Sequence, residues 1–193
     1  MQALLRSRAV SLAAAIVLSA SLATPVLAEP RGRPDRDGGA ARFVTFQILP
    51  FSNFVTVLSS VPRAELEAVL ENAYSRVESS DGRFAQVAGL RVTYDRAGTP
   101  GVGSAAATGS RVRDVVLDDG TVNVQNGAVV RGPAISNATI DFLARGGDQY
   151  PCAAPFVNLA VSYQQALANY LVKGLSGQVT AAAYSPAGQG RIA

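Results

Sequence analysis

Apolar and polar positions follow two rhythms along this chain, one helical and one of alternation. Leu66, Val69, Leu70, Ala73 and Tyr74 recur at i, i+3, i+4, i+7 and i+8, the single stripe of an amphipathic helix over about residues 62–77. Pro62 suits its first turn, where no backbone N–H is required. Glu65, Glu67 and Glu71 lie off that stripe, and acids early in a helix favour its dipole. A second helix is predicted over about residues 162–173. Ser162 followed by Gln165 makes a capping box, Tyr163, Ala166, Leu167, Tyr170 and Leu171 make the stripe, and Gly174 ends it.

The alternating rhythm marks strands. Phe43, Val44 and Phe46 suggest a short one leading into Ile48-Leu49-Pro50-Phe51. Phe54-Val55-Thr56-Val57-Leu58 is β-branched and aromatic and reads as a buried strand. From Phe84 to Asp95, Leu90, Val92 and Tyr94 alternate on one face, Phe84 reads as core, and Gly89 suggests a bulge or a close backbone approach. Residues 98–109 are rich in glycine and read as a loose hairpin loop, with Val112, Val115 and Leu117 on the return strand. Asp118-Asp119-Gly120 and Asn126-Gly127 are hairpin turns between short strands at 121–124 and 128–130. Ala134 to Thr139 follows, and residues 182–192 form a closing loop. Two helices among several antiparallel strands predict an α+β class.

The amino end belongs to neither rhythm. Arg6 and Arg8 precede a nearly uncharged apolar run from Ala9 to Ala23, and Val26-Leu27-Ala28 supplies small residues at the positions a signal peptidase reads. Residues 1–28 are therefore expected to be a secretory signal cut after Ala28, giving a secreted or periplasmic product with no membrane attachment. A retained anchor is the alternative, although the run is short for a span of about 20 residues. Residues 29–42 are charged and rich in Pro and Gly, a flexible linker, so the folded domain is expected over 43–193.

Composition narrows the chemistry. With 48% hydrophobic and 16% charged residues, a packed core is expected. The 17 basic and 14 acidic residues become 15 and 14 without the signal, so charge gives no argument for nucleic acid. Cys152 is the single cysteine, which rules out an internal disulfide; it is either a buried thiol or pairs with a second chain. There is no histidine, so Ser-His-Asp and Cys-His sites and His-containing metal sites are excluded. No metal or cofactor is expected.

The most informative stretch is Asp141-Phe142-Leu143-Ala144-Arg145-Gly146-Gly147-Asp148-Gln149-Tyr150-Pro151. One helical turn meets a double glycine, where the chain can turn sharply. An acid and a ring follow, and a proline closes the turn. Such a turn places an aromatic ring at a loop mouth, or folds it back on its own helix. Asp148 either accepts bonds from a ligand or stabilises the turn.

This stretch resembles the FLAxGGDGY/F signature of the C-terminal domain of the 5'-nucleotidase/UDP-sugar hydrolase family. Other stretches resemble the family in the family's order. Leu49-Pro50-Phe51-Ser52-Asn53 is similar to LPFxN, residues 61–70 to its helix, residues 82–95 (GRFAQVAGLRVTYD) to GxFxQVSGLRVTYD, and residues 182–192 to YxxxGEGRI. The resemblance covers about residues 44–192. It implies a layered αββα-type arrangement with two main helices, and a domain that binds a nucleotide or nucleoside while a separate metallophosphoesterase domain breaks the ester. It also implies that two rings clamp the base, here Phe51 and Tyr150, with Asn53 and Asp148 beside them. Stacking of this kind contributes about 1–3 kcal/mol per base. Packing of Phe51 into the core is the alternative, and Pro50 argues against it.

The departures are equally specific. The upstream NGGGIR of the family has only Asp37-Gly38-Gly39-Ala40-Ala41-Arg42 as its counterpart, so Arg42 is either a ligand to phosphate or a solvated linker residue. Gln149 stands for the usual glycine and Ile140 for the usual asparagine. No metallophosphoesterase sequence is present, so the chain is expected to lack catalysis of its own and to complement a separately encoded phosphoesterase. The competing expectation is a vestigial or structural module. Rings of Phe51 and Tyr150 facing each other across an open cleft favour binding; burial of either favours the vestige.

Overall fold

The computed structural model describes residues 12–16, by backbone alone, together with residues 45–185 and 187–193. Of the expected signal segment, only β1 (Leu12–Ile16) is described, and it is a strand. The rest of that segment, the cleavage position and the linker lie outside the described residues, as do Arg42, Phe43 and Val44. No described helix is long and apolar enough to cross a membrane.

Residues 45–48 form a helical turn, α1, instead of the expected strand. The N–H of Leu49 donates to the carbonyl of Thr45 at 2.9 Å and closes the turn, which buries Leu49 and leaves Phe46 and Ile48 in solvent. β2 (Phe54–Val61) is longer than predicted and only alternately buried, with Thr56 and Leu58 inward. Pro62 then caps α2 (Arg63–Ala73), whose stripe packs inward as the periodicity requires.

Glu71 departs from its expected place. It is fully buried, and its Oε1 accepts the N–H of Val112 at 2.7 Å. That backbone donor lies 41 residues away, so helical periodicity cannot reveal it. Burial raises the Glu71 carboxyl above the usual range, against the pull of the N–H groups of Val112 and Arg111. One turn earlier, burial and then the charge of Glu71 push Glu67 up to about 7. A carboxyl whose folded value exceeds its unfolded value stabilises the fold fully below about pH 4.5. That contribution is lost as pH rises through about 7. Glu67→Gln is therefore expected to raise stability by about 1 kcal/mol at pH 8, after allowance for partial exposure, and by almost nothing at pH 4. Urea titrations at the two pH values check this.

The strands form two sheets. One runs in the order β3 (Gln86–Val87), β1, β8 (Ile135–Ile140), β2 and β9 (Phe156–Ser162). β8 is parallel to β1 and antiparallel to β2. The other is an antiparallel meander of β4 (Leu90–Tyr94), β5 (Val112–Leu117), β6 (Val122–Gln125) and β7 (Ala128–Val129). Asn126 and Gly127 take the φ values of 51° and 77° that their hairpin turn requires. The closing residues do more than loop back: Arg191 and Ala193 carbonyls accept the N–H groups of Val92 and Tyr94, each at 2.8 Å, and lay the tail along β4.

β9, which the sequence reading passes over, forms the outer edge of the first sheet. Residues 103–108, expected as loose loop, wind into a 3₁₀ segment against α2. Gly109 there approaches Glu71 so closely that a Cβ would collide with its carboxylate at 2.2 Å. The core joins both sheets to α2, with Leu58, Leu70, Tyr74, Leu90, Val92, Val115 and Tyr150 among its members. Phe84 packs at its margin, edge-on to Tyr74 at 5.2 Å. Cys152 is half-buried, and burial pushes its thiol up to about 11.

Candidate functional site

The loop carrying Phe51 is held by the start of α4 (Tyr163–Asn169). Tyr163 takes both ends: its hydroxyl accepts the N–H of Phe51 at 2.9 Å, and its own N–H donates to the carbonyl of Asn53 at 3.0 Å. The amide of Gln164 donates to the carbonyls of Leu49 and Phe51. With its backbone pinned, Phe51 holds its ring 56% exposed. Ser162 caps α4 by accepting the N–H of Gln165, but the side chain of Gln165 turns to Asn169, so only half of the capping box forms. α4 stops at Asn169, and residues 170–174 continue as a wider π turn.

The opposite wall comes from α3 (Asp141–Ala144) and the turn after it. Asp141 anchors α3 to β2 by accepting the N–H of Phe54 at 2.8 Å. Gly146, Asp148 and Gln149 then take φ values of 88°, 49° and 62°. Asn72, fully buried on α2, donates from Nδ2 to the carbonyl of Asp148 at 3.1 Å and accepts the N–H of Gly103 at its Oδ1 at 3.0 Å. The turn is thereby fastened to the core from behind.

This run of left-handed residues decides where the two rings of the stretch go. Tyr150 returns to extended backbone and points inward, 4% exposed, with its hydroxyl donating to the carbonyl of Arg83 at 2.5 Å. Burial raises its phenol well above the usual range. Tyr150 therefore belongs to the core and cannot face Phe51 across a cleft, which corrects the expected pair. Phe142 stays outside, 45% exposed. Its ring lies over Gly147, where a Cβ would meet ring carbons at 2.5 Å, so glycine is required there for close approach rather than for an unusual φ.

Phe51, Asn53, Phe142 and Asp148 meet around one open hollow of about 300 Å³, floored by Ile140, Leu143 and Tyr163. Three of the expected site residues, Phe51, Asn53 and Asp148, are thus brought together; Tyr150 is not, and Arg42 lies outside the described residues. Phe142 is the member the sequence reading missed. No basic side chain lines the hollow among the described residues, and Asp148 is its one charge. Two exposed rings, an amide and a carboxylate suit a flat ligand bearing hydroxyl donors. The described residues contain no group of three side chains able to hold a metal ion.

Comparison with known proteins bears on the family and the fold. The sequence model of the family described as 5'-nucleotidase, C-terminal domain, matches residues 36–155. The structure is similar to that of a 5'-nucleotidase precursor from Thermus thermophilus, with 28% identity and a TM-score of 0.56 over 77% of this chain and 26% of that one. It is also similar in fold to the NAD nucleotidase of Haemophilus influenzae, with 18% identity and a TM-score of 0.53 over 69% of this chain and 24% of that one. This chain thus spans about a quarter of the length of either. No curated protein sequence matches it significantly.

Proposed function

Since the chain belongs to the 5'-nucleotidase C-terminal domain family, we propose that it binds the base and sugar of a nucleoside or nucleotide in the hollow between Phe51 and Phe142. The observation that carries this reading is the pair of exposed rings, each fixed by its own support, converging on one hollow with Asp148. The base stacks on the rings, and Asp148 accepts hydrogen bonds from ribose hydroxyls. Asn53 offers an amide to the base edge. Ester cleavage is assigned to a metallophosphoesterase domain outside these residues, because the sequence has no histidine with which to hold that domain's metal ions. Residues 1–28 act as a leader for secretion or export to the periplasm.

Calorimetry on the protein tests the reading. Adenosine is expected to bind at least as tightly as AMP, since among the described residues the hollow offers phosphate a carboxylate and no cation. Absence of heat with either ligand at millimolar concentration overturns the proposal. The second reading, a vestigial module, is favoured by the burial of Tyr150, and that null result is its prediction.

A further inference from the structure

We propose that the outer face of the meander, where the tail lies along β4, holds a second binding site, for the phosphate monoester of a small hydroxylated molecule such as a sugar phosphate. Arg91 and Arg191 grip the phosphate, and Asp118 takes the hydroxyls. This site shares no lining residue with the hollow at Phe51 and does not depend on the reading given for that hollow.

Three observations carry it. First, the tail sets two arginines side by side. Val92 and Ile192 form a parallel bridge. The N–H of Val92 donates to the Arg191 carbonyl at 2.8 Å, and the N–H of Ala193 donates to the Val92 carbonyl at 3.0 Å. Val92 is buried and Ile192 packs against the core. Side chains alternate along a strand, so Arg91 and Arg191 stand together on the opposite face. Like charges opposite each other across a sheet destabilise it. Among the described residues, neither arginine has a carboxylate within ion-pair distance. A bound anion would relieve that repulsion.

Second, Arg191 is aimed. The Nε2 of Gln189 donates to the carbonyl of Ala183 at 3.0 Å, and its Oε1 accepts the Nε–H of Arg191 at 3.1 Å. The terminal nitrogens of the guanidinium are left to an oxyanion, whose geometry they match. Third, both arginines line one open hollow of about 500 Å³, together with Asp118, Gln189 and the Val116–Leu117 end of β5. Gly120 turns the hairpin beside it at a φ of 85°, with open space where a Cβ would lie.

Together these define the ligand. A phosphate monoester carries about −1.5 to −2 charge near neutral pH, which matches two guanidiniums; a carboxylate brings one charge only. Asp118 repels a bare anion, but its carboxylate accepts hydrogen bonds from hydroxyls on the same molecule. The ligand therefore extends from the arginines past Val116 and Leu117 to Asp118.

Calorimetry on the full chain with ribose 5-phosphate tests this. One-to-one binding is expected, weakening as salt is raised. Arg91→Gln and Arg191→Gln are each expected to weaken it about tenfold or more, the loss of a charge-assisted bond. Gln189→Ala, which frees the Arg191 guanidinium, is expected to weaken it by a smaller factor. Arg131→Gln, at an exposed arginine outside the hollow, is expected to change nothing. Asp118→Asn separates the ligand class from any anion: the preference for ribose 5-phosphate over inorganic phosphate is expected to fall about tenfold. Arg91 and Asp118 are exposed, so these variants keep the fold, and thermal unfolding checks it. Adenosine is expected to bind every variant as it binds the unaltered chain. No heat with millimolar ribose 5-phosphate overturns the proposal. So does heat that survives both arginine changes, which places the ligand elsewhere, or that falls equally with Arg131→Gln, which makes it a response to charge alone. An Asp118→Asn variant that binds both ligands more tightly by the same factor also overturns it.

Discussion

Phe142→Ala is expected to weaken adenosine binding about 10- to 100-fold, and Phe51→Ala to do the same. Each removes one face of the stack, worth about 1–3 kcal/mol per base, and 1.4 kcal/mol is a factor of ten. Both rings are exposed, so neither change leaves a core cavity, and thermal stability should move little. Tyr150→Phe is expected to do the opposite. It keeps the buried ring but leaves the Arg83 carbonyl without its donor, a loss of about 1 kcal/mol of stability. Adenosine affinity should stay within about twofold, because the hydroxyl is turned away from the hollow. Calorimetry and thermal unfolding of the three variants check all of this. A Tyr150→Phe variant that loses adenosine while Phe142→Ala keeps it would reassign the second ring.

The largest effect on stability is expected from Asn72→Ala. The Asn72 amide joins two segments distant in sequence, the Asp148 turn and the 3₁₀ segment at Gly103, from a position with no solvent. Truncation leaves the part-buried Asp148 carbonyl and Gly103 N–H without this partner and opens a void where the buried amide stood. The combined cost is about 2–4 kcal/mol, or about 10 °C in Tm for a chain of this size. Because the same amide braces Asp148 from behind, adenosine binding should weaken as well, even at temperatures where the protein remains folded. Differential scanning calorimetry with and without adenosine measures both effects.

What the sequence reveals about this fold is what local rules control. The α2 stripe, the β4–β5 pairing and the Asp119-Gly120 and Asn126-Gly127 turns follow from spacing and from residues that tolerate positive φ. The inward turn of Glu71 does not, since its partner is the Val112 N–H across the fold. β9 shows an apolar alternation at Val157, Leu159 and Val161 that is legible in retrospect, but as an exposed edge it lacks the buried pattern that usually marks a strand.

The site follows the same division. The double glycine and the acid predict a turn, and the turn is there. Which ring falls inside is decided by the left-handed backbone of Asp148 and Gln149, and Gln149 is not a residue from which that conformation is read. The clue to Phe142 was Gly147, five residues on: a glycine without a positive φ marks a close approach, here of the Phe142 ring. Phe51 was legible because Pro50 breaks the chain before it and keeps its ring out of the core.

Magnetisation transfer between bound adenosine and the aromatic protons of the protein tests the central claim most directly. Clamping of the base predicts transfer from the adenine protons to the rings of both Phe51 and Phe142, and none to Tyr150. Transfer to Tyr150, or to neither phenylalanine, would contradict it.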